Sequence, residues 1–321
     1  CYRAYQDVDM IETWTEIANL GKKPVTLTRF DSGYLPVRVG DVWLSHLHGT
    51  WAAEGLLVQE PLQRGMKVIK NKDGSRNSHT DHAEVMFSLD GKPQENTGRV
   101  IGAALCYSGN YELRIDTRDT DYHEFYAGIN PDNSSYKLES KEVFMTPELA
   151  FTYSDEGLSG ASRNFHKWGR TYKLAHGDKL RKILLNSWEA SYFDFTDETL
   201  LELADEAAKI GVEMLVLDDG WFGDRNSDNA GLGDWYVNEN KIKCGLKSLV
   251  EQVNAKGLKF GIWMEPEMIN EDSDLYRAHP DWAFAMPGRK PARSRNQLVL
   301  DLSRKEVVDY VYDCMAKILS E

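Results

Sequence analysis

The chain has 321 residues, of which 41% are hydrophobic and 28% charged, and its formal net charge is −13. This length suffices for two domains with substantial cores. The acidic balance argues against nucleic acid or an anionic membrane as a partner, because binding to phosphate requires a basic surface. No stretch of the sequence approaches the ~18 apolar residues of a membrane span.

The cysteines are widely separated, with no Cys-x-x-Cys pair and no histidine at metal-ligand spacing; they are Cys1, Cys106, Cys244 and Cys314. We therefore expect free thiols in a cytoplasmic protein, and neither a structural metal nor a cofactor. The chain opens with no signal peptide and begins with Cys rather than Met, so we expect the natural N-terminus to lie upstream.

Residues 1–160 have the pattern of β-structure. Short runs of β-branched and aromatic residues, such as "YELRID" and "HEFYAGI", are separated by turn signals such as Asp90-Gly91. No run between these signals is long and helical in period. We predict a large β-sandwich of mostly antiparallel strands, followed by a linking helix over residues 161–180.

From about residue 180 the pattern changes to alternating strands and helices. Strands are predicted near 183–187, 213–218 and 259–264, and the helix after the first of them has Thr196 as its cap and Gly211 as its stop. Such alternation predicts parallel strands joined by helical crossovers. The sequence "SRKE" near the end of the chain has the form of a capping box that opens a final helix.

A doubly wound sheet and a (β/α)₈ barrel both fit this alternation. Each predicted strand ends in polar and aromatic residues, "NSWE", "DDGW" and "WMEPE", and functional groups at successive strand ends are typical of the catalytic face of a barrel. No Gly-x-Gly-x-x-Gly or Walker sequence follows any strand. We therefore predict the first half of a (β/α)₈ barrel over residues 181–321, since a full barrel uses about 250 residues.

Carboxylates and tryptophans mixed at strand ends are typical of a glycosidase site, where carboxylates bind hydroxyls or catalyse and rings stack on sugars. Asp218 and Asp219 are adjacent and point to opposite sides of a strand. They cannot flank a glycosidic bond, so acceptors of substrate hydroxyls are the better assignment, with a helix or turn cap as the alternative. Trp188 and Trp263 occupy equivalent positions on two strands and serve either as walls of a pocket or as core.

Three further residues keep more than one interpretation each. Glu265 and Glu267 straddle Pro266 and are either ligands of the substrate or clamps for the next loop. Arg295 either donates to a sugar hydroxyl, pairs with a carboxylate at a strand end, or forms a surface salt bridge. Asp301 is interpreted as structural.

The segments "NSWEASYFDF", "LDDGWFG", "GIWMEPEM" and "RNQLVLDLSR", in this order and spacing, closely resemble the α-galactosidases of glycoside hydrolase family 36. The resemblance spans most of the chain. It implies an N-terminal β-supersandwich before a (β/α)₈ barrel, and retaining hydrolysis of terminal α-galactose from melibiose- and raffinose-type oligosaccharides without a metal. Because members of the family are often tetramers, it also implies a homo-oligomer.

The resemblance assigns roles to five residues. Asp218 and Asp219 match paired aspartates that hold galactose O4 and O6. Trp188 and Trp263 match aromatic walls of the galactose pocket, and Arg295 matches an arginine of the same pocket.

One departure from the family pattern concerns catalysis. The family nucleophile lies in a Lys-Trp-Asp motif, which this sequence lacks, and its acid/base lies in a Ser-Asp-Asn context further along. The "SDN" at 227–229 directly follows the paired aspartates, so we interpret it as a coincidence. We therefore expect both catalytic residues beyond Glu321, and no activity from residues 1–321 alone. The alternatives are a non-catalytic galactose-binding or assembly fragment, and an α-galactosyl transferase similar to raffinose or stachyose synthase.

Overall fold

The computed structural model describes residues 1–74, 79–119, 121–291, 293 and 295–320. Glu321, near which the final helix was expected to end, lies outside these residues. The chain divides into two compact units, Cys1–Lys179 and Leu180–Glu321. No helix in the described part of the chain is long and apolar enough to cross a membrane.

The first unit is built mainly from strands. In chain order they are β1 (Tyr2–Tyr5), β2 (Met10–Thr13), β3 (Glu16–Ala18), β4 (Val25–Leu27), β5 (Gly33–Val37), β6 (Trp43–Thr50), β7 (Ala53–Pro61), β8 (Gly65–Lys70), β9 (Asp81–Ser88), β10 (Val100–Cys106), β11 (Tyr111–Asp119), β12 (Tyr122–Ile129), β13 (Tyr136–Leu138), β14 (Val143–Met145) and β15 (Glu148–Ser154).

Two sheets of antiparallel strands form the sandwich. The larger has the order β1-β2-β15-β10-β9-β6-β7 and the smaller the order β5-β12-β11-β8. Their inner faces share one apolar core, to which the larger sheet contributes Leu44 and Phe87 and the smaller Leu113 and Phe125. The rings of Phe87 and Phe125 meet edge to face with centroids 5.2 Å apart. The predicted sandwich of antiparallel strands is confirmed.

Helix α1 (Gly157–Trp168) packs on β10 and β15 within this first unit. It begins before residue 161 and ends at Trp168, and a π-helical turn, Gly169–Lys173, follows it. A Cβ on Gly102 of β10 would lie 2.8 Å from Cε2 of Phe165. The ring of Phe165 therefore occupies space that a side chain at residue 102 would fill.

The second unit alternates strands and helices. In chain order these are β16 (Leu184–Asn186), α2 (Trp188–Ser191), α3 (Asp197–Lys209), β17 (Met214–Leu217), α4 (Leu246–Ala255), β18 (Lys259–Ile262), β19 (Met268–Ile269), α5 (Asp274–Ala278), β20 (Leu298–Val299) and α6 (Lys305–Ser320).

Strands β16, β17 and β18 lie side by side and parallel in that order. Leu215 and Leu217 of β17 are fully buried against Leu200 of α3 and Leu249 of α4, which cross over between the strands. The three parallel strands predicted near 183–187, 213–218 and 259–264 are confirmed, each somewhat shorter than predicted. This is the arrangement expected for the first part of a (β/α)₈ barrel.

Local capping signals explain where α3 begins and ends. The Thr196 hydroxyl accepts from the Thr199 N–H at 3.3 Å, and the Thr199 hydroxyl accepts from the Thr196 N–H at 2.9 Å. Gly211, just beyond the helix, has a φ of +87°, which a residue without Cβ adopts freely. Both predicted signals are confirmed.

The prediction of a capping box at the start of α6 is wrong. The Ser303 hydroxyl donates to Asp301 at 2.6 Å, and the Glu306 carboxylate pairs with Arg304 at 2.8 Å. The helix begins at Lys305. Because Arg304 stands within the motif and offers a charged partner, Glu306 pairs with it instead of with the Ser303 backbone. Asp301, bound to Ser303, has the structural role expected of it.

Candidate active site

Polar side chains gather where the parallel strands β16, β17 and β18 end. Asn186 closes β16, and its side-chain amide donates to Asp218, just after β17, at 2.6 Å. The Asn186 side-chain oxygen accepts from the Trp188 N–H at 2.8 Å, and the Ser187 hydroxyl accepts from the Asp218 N–H at 3.1 Å. Trp263 directly follows β18 and donates its N–H to the carbonyl of Leu217 at 2.8 Å. The carboxyl ends of parallel strands thus bring these residues to one edge of the sheet.

Asp219 lies just beyond β17, like Asp218, but its carboxylate has a different partner. It is only 3% exposed, and its two oxygens accept from Arg225 Nε at 2.9 and 3.2 Å and from Arg225 Nη2 at 2.8 Å. Both aspartates were predicted to accept substrate hydroxyls, and the cation considered as a partner for a strand-end carboxylate was Arg295 rather than Arg225. The signal was present: a carboxylate that follows a buried strand needs a cation, and an arginine stands six residues later.

Arg225 is itself completely buried. Besides binding Asp219, its Nη1 donates to the carbonyl of Ala230 at 2.9 Å and to Asn270 at 3.1 Å. Its Cζ lies over the Phe193 ring, 5.5 Å from the ring centre. Arg225 was not among the predicted site residues, because the need for a cation at Asp219 does not specify which basic side chain supplies it.

A second cation missed by sequence analysis secures the loop after the aspartates. Lys241 Nζ donates to the carbonyls of Phe193 at 2.8 Å, Gly220 at 2.9 Å and Arg225 at 3.2 Å. Burial lowers the pKa of the Lys241 ammonium, and the charge of Asp219 acts in the opposite direction. Gly220 adopts a φ of +98°, and a Cβ there would lie 3.0 Å from the Phe193 ring, so only glycine fits without strain.

The two tryptophans are half-buried. The Trp188 ring meets Tyr192 and Phe193 edge to face, each at 5.1 Å. The Trp263 ring is stacked on Phe222 with centroids 6.4 Å apart. Each ring therefore packs against aromatic side chains of the protein and keeps part of its surface exposed.

Arg295 lies on an exposed loop and has a positive φ of 50°. Its Nη2 donates to Asp228 at 2.7 Å, so the salt-bridge interpretation of this residue describes its contact in the structure. Asp228 also lies 3.6 Å from Nη2 of Arg225. The "SDN" segment at 227–229, which we interpreted as a coincidence, therefore has a structural role, because its aspartate connects the two arginines.

Glu265 follows β18 and is half-buried. Burial raises the pKa of its carboxyl group, the charge of Glu267 raises it further, and the charges of Arg295 and Arg225 act against this. Gln297 donates to Glu265 at 3.5 Å, a long hydrogen bond that reaches the loop before β20. Glu265 thus shares the electrostatic surroundings of both arginines.

The cluster combines hydroxyl acceptors, donors and partly exposed aromatic rings, which suits an uncharged polyhydroxy ligand. Within the described ranges, no group of three or more His, Cys, Asp or Glu side chains is placed to hold a metal ion.

Comparison with known protein families finds two profiles that match the chain. The sequence matches the profile of the glycosyl hydrolase family 36 N-terminal domain over residues 1–139 and the Melibiase profile over residues 143–321. The second profile begins at β14, so it includes β15 and α1, which the fold places in the first unit.

Individual relatives are similar over nearly the whole chain. The chain is 42% identical to the bifunctional alpha-galactosidase/sucrose kinase AgaSK of Mediterraneibacter gnavus, over 100% of this chain and 34% of that protein. It is 39% identical to alpha-galactosidase AgaA of Geobacillus stearothermophilus, over 99% of this chain and 44% of AgaA. The crystal structure of AgaA superposes with a TM-score of 0.95 at 38% identity, over 99% of this chain and 44% of that one. The chain spans less than half the length of these relatives.

Proposed function

Because the chain belongs to glycoside hydrolase family 36, we propose that it supplies part of the galactose pocket of an enzyme that hydrolyses terminal α-galactosyl residues with retention of configuration. The observation that carries the proposal is the cluster at the ends of β16, β17 and β18, where Asn186 binds Asp218 and two half-buried tryptophans follow the strands. The substrates we propose are melibiose- and raffinose-type oligosaccharides. Crystal structures of variants of AgaA have been solved in complex with raffinose and with stachyose, which supports this choice.

Asp218 and Asp219 are proposed to accept hydroxyls of galactose. Asp218 already accepts from Asn186 through Oδ2 and from the Asp219 N–H through Oδ1, at 2.6 and 2.8 Å. Each oxygen of the Asp218 carboxylate has a second lone pair, so Oδ1 and Oδ2 can each still accept a hydroxyl. Trp188 and Trp263 are proposed as walls of the pocket.

Arg295 is proposed to donate to the sugar. Its guanidinium binds Asp228 through Nη2 and is about half exposed, and its remaining N–H groups have no hydrogen bond to another described residue, so they can donate to a ligand. A hydroxyl that bridges Arg295 and a carboxylate would be recognised by both a donor and an acceptor.

We also propose that residues 1–321 do not contain the nucleophile and the acid/base. A retaining enzyme needs two carboxyl groups about 5–5.5 Å apart across the scissile bond. Asp218 and Asp219 are neighbours in the chain with different partners, and the Asp219 oxygens face Arg225. Neither is placed to attack a sugar carbon while the other protonates the leaving oxygen.

The test assays purified residues 1–321 on a nitrophenyl α-galactoside, with AgaA as the positive control. We expect no turnover by residues 1–321 and turnover by the complete gene product. Clear turnover by residues 1–321 would show that Asp218, Asp219 or Glu265 is catalytic. With melibiose as donor and sucrose as acceptor, free galactose would indicate hydrolysis, whereas a longer oligosaccharide would indicate a transferase.

Two further properties are proposed for the complete protein. We place it in the cytoplasm, which is supported by the four unpaired cysteines, since thiols persist in a reducing compartment. We also propose a homo-tetramer, which analytical ultracentrifugation of the complete gene product would distinguish from a monomer or dimer.

A further inference from the structure

Arg225 has no part in the site as proposed so far, although its contacts reach several of that site's residues. Its N–H groups are all directed at oxygens: Nε and Nη2 at Asp219, Nη1 at the Ala230 carbonyl and Asn270, and Nη2 also towards Asp228 at 3.6 Å. Because the side chain is 0% exposed, none of these groups is available to solvent or to a ligand. The guanidinium therefore acts only on other protein groups.

The buried pair of Arg225 and Asp219 contributes little net stability. Removing two charges from water is unfavourable, and an apolar pair of similar volume is often as stable or more so. What a bidentate arginine–carboxylate pair provides is geometry, since two parallel hydrogen bonds fix the plane of the carboxylate. Asp219 therefore has one orientation set from the protein side.

Arg225 also connects the aspartate loop to the loop that carries Arg295. Asp228 accepts from Arg295 at 2.7 Å and lies within ion-pair distance of Arg225. Asn270, bound to Arg225 through its oxygen, donates through its amide to the backbone carbonyls of Asp228 at 3.2 Å and Asn296 at 3.3 Å. Two side-chain routes therefore lead from Arg225 to the segment at Arg295.

We propose that Arg225 is a positioning residue of the galactose pocket, which sets the orientation of Asp219 and, through Asp228, the place of Arg295, without touching the sugar. This inference rests on the function proposed above. A positioning role predicts an effect on the affinity for substrate, whereas a purely structural role predicts fewer folded molecules with normal affinity.

The experiment compares Arg225→Lys, Asp228→Asn and wild type in the complete gene product. Lysine keeps the charge but loses the planar pair of donors. We expect KM for melibiose to rise about tenfold in Arg225→Lys, the effect of losing one well-oriented charged hydrogen bond. Asp228→Asn should also raise KM, because it weakens the contact that holds Arg295. Its melting temperature should not change, because Asp228 is half-exposed. Arg277→Lys is the matched control, since Arg277 pairs with Asp272 and Asp274 on the surface, and its KM should not change.

A fall in kcat per mole of total protein with an unchanged KM in both variants would overturn the proposal, since that pattern reports only lost folded enzyme. A crystal structure of Arg225→Lys gives a readout that does not depend on the substrate. A rotated Asp219 carboxylate and a broken Arg295–Asp228 contact would support the inference, and unchanged positions would refute it. Absence of wild-type turnover on any α-galactoside would instead refute the proposed function alone.

Discussion

The two units bury a carboxylate in different ways. In the first, Glu12 is inaccessible, but Arg3 and Lys173, which bind it, have side chains that are 47% and 32% exposed. In the second, both Asp219 and Arg225 are withdrawn from water. When the cation reaches solvent, only the carboxylate of the pair loses its hydration completely. A cation buried with its carboxylate keeps none, so we expect such a pair where geometry matters more than stability.

The largest effect should come from breaking the fully buried pair. Asp219→Ala leaves the Arg225 guanidinium without its main partner, and breaking a buried pair in this way destabilises by about 3–5 kcal/mol. Scanning calorimetry of the complete protein should show the loss as a lower melting temperature of the transition to which the second unit contributes. Asp309→Ala, which removes a surface pair with Lys305, is the control and should change stability by less than about 1 kcal/mol.

A smaller effect is expected in the first unit. Glu12→Gln removes the charge that Arg3 and Lys173 bind, yet both cations can turn towards water, and Tyr5, whose hydroxyl donates to Glu12 at 2.8 Å, can still donate to the amide oxygen. We expect a loss of about 2 kcal/mol, the contribution of a hydrogen bond to a charged group. If chemical denaturation shows Glu12→Gln to be as destabilising as Asp219→Ala, the exposure of the cations does not make the difference we infer.

The smallest effect is a change of pH dependence. Burial raises the pKa of Glu265 above its usual 4.5, so the folded protein keeps this proton where the unfolded chain has lost it. The contribution of Glu265 to stability therefore falls as the pH rises from 4.5 through the raised pKa. We expect Glu265→Gln to remove this fall, measured as unfolding free energy at several pH values on both sides of 4.5. Glu251→Gln, on the exposed side of α4, is the control and should preserve the wild-type profile.

In the first unit burial acts on a base, His46, and stability changes with pH in the opposite direction. Burial lowers the pKa of His46 below its usual 6.5, so the stability that His46 contributes is lost as the pH falls through 6.5 towards the lowered pKa. If the unfolding free energies of Glu265→Gln and wild type change equally with pH, the two units do not differ in how burial of their titrating groups affects stability.

What could be predicted from the sequence was local or periodic. The parallel strands follow from apolar runs that alternate with helical repeats, and the Thr196 cap and Gly211 stop of α3 are set by nearest neighbours. The capping box at Ser303 failed for an equally local reason, because Arg304 competes for Glu306.

The partners within the site could not be predicted in the same way. Arg225 and Lys241 act through contacts that depend on how loops return to the strand ends, and no pattern in the sequence specifies that return. Asp219 and Arg295 were identified as site residues, but each already has a protein partner, Arg225 and Asp228 respectively. The sequence therefore predicted which residue types follow the strands, but not the protein groups to which Asp219 and Arg295 bind.

Lys241 has a consequence for how the loops at the strand ends keep their shape. Three backbone carbonyls surround its single ammonium at 2.8–3.2 Å, that of Phe193 and, in the loop after β17, those of Gly220 and Arg225. Carbonyl oxygens gather around potassium in a channel filter for the same electrostatic reason. Here the nitrogen that carries the charge is covalently attached to the chain, so the carbonyls keep this partner at any concentration of salt. The loops behind the paired aspartates thus have the coordination of an ion site without depending on the supply of an ion.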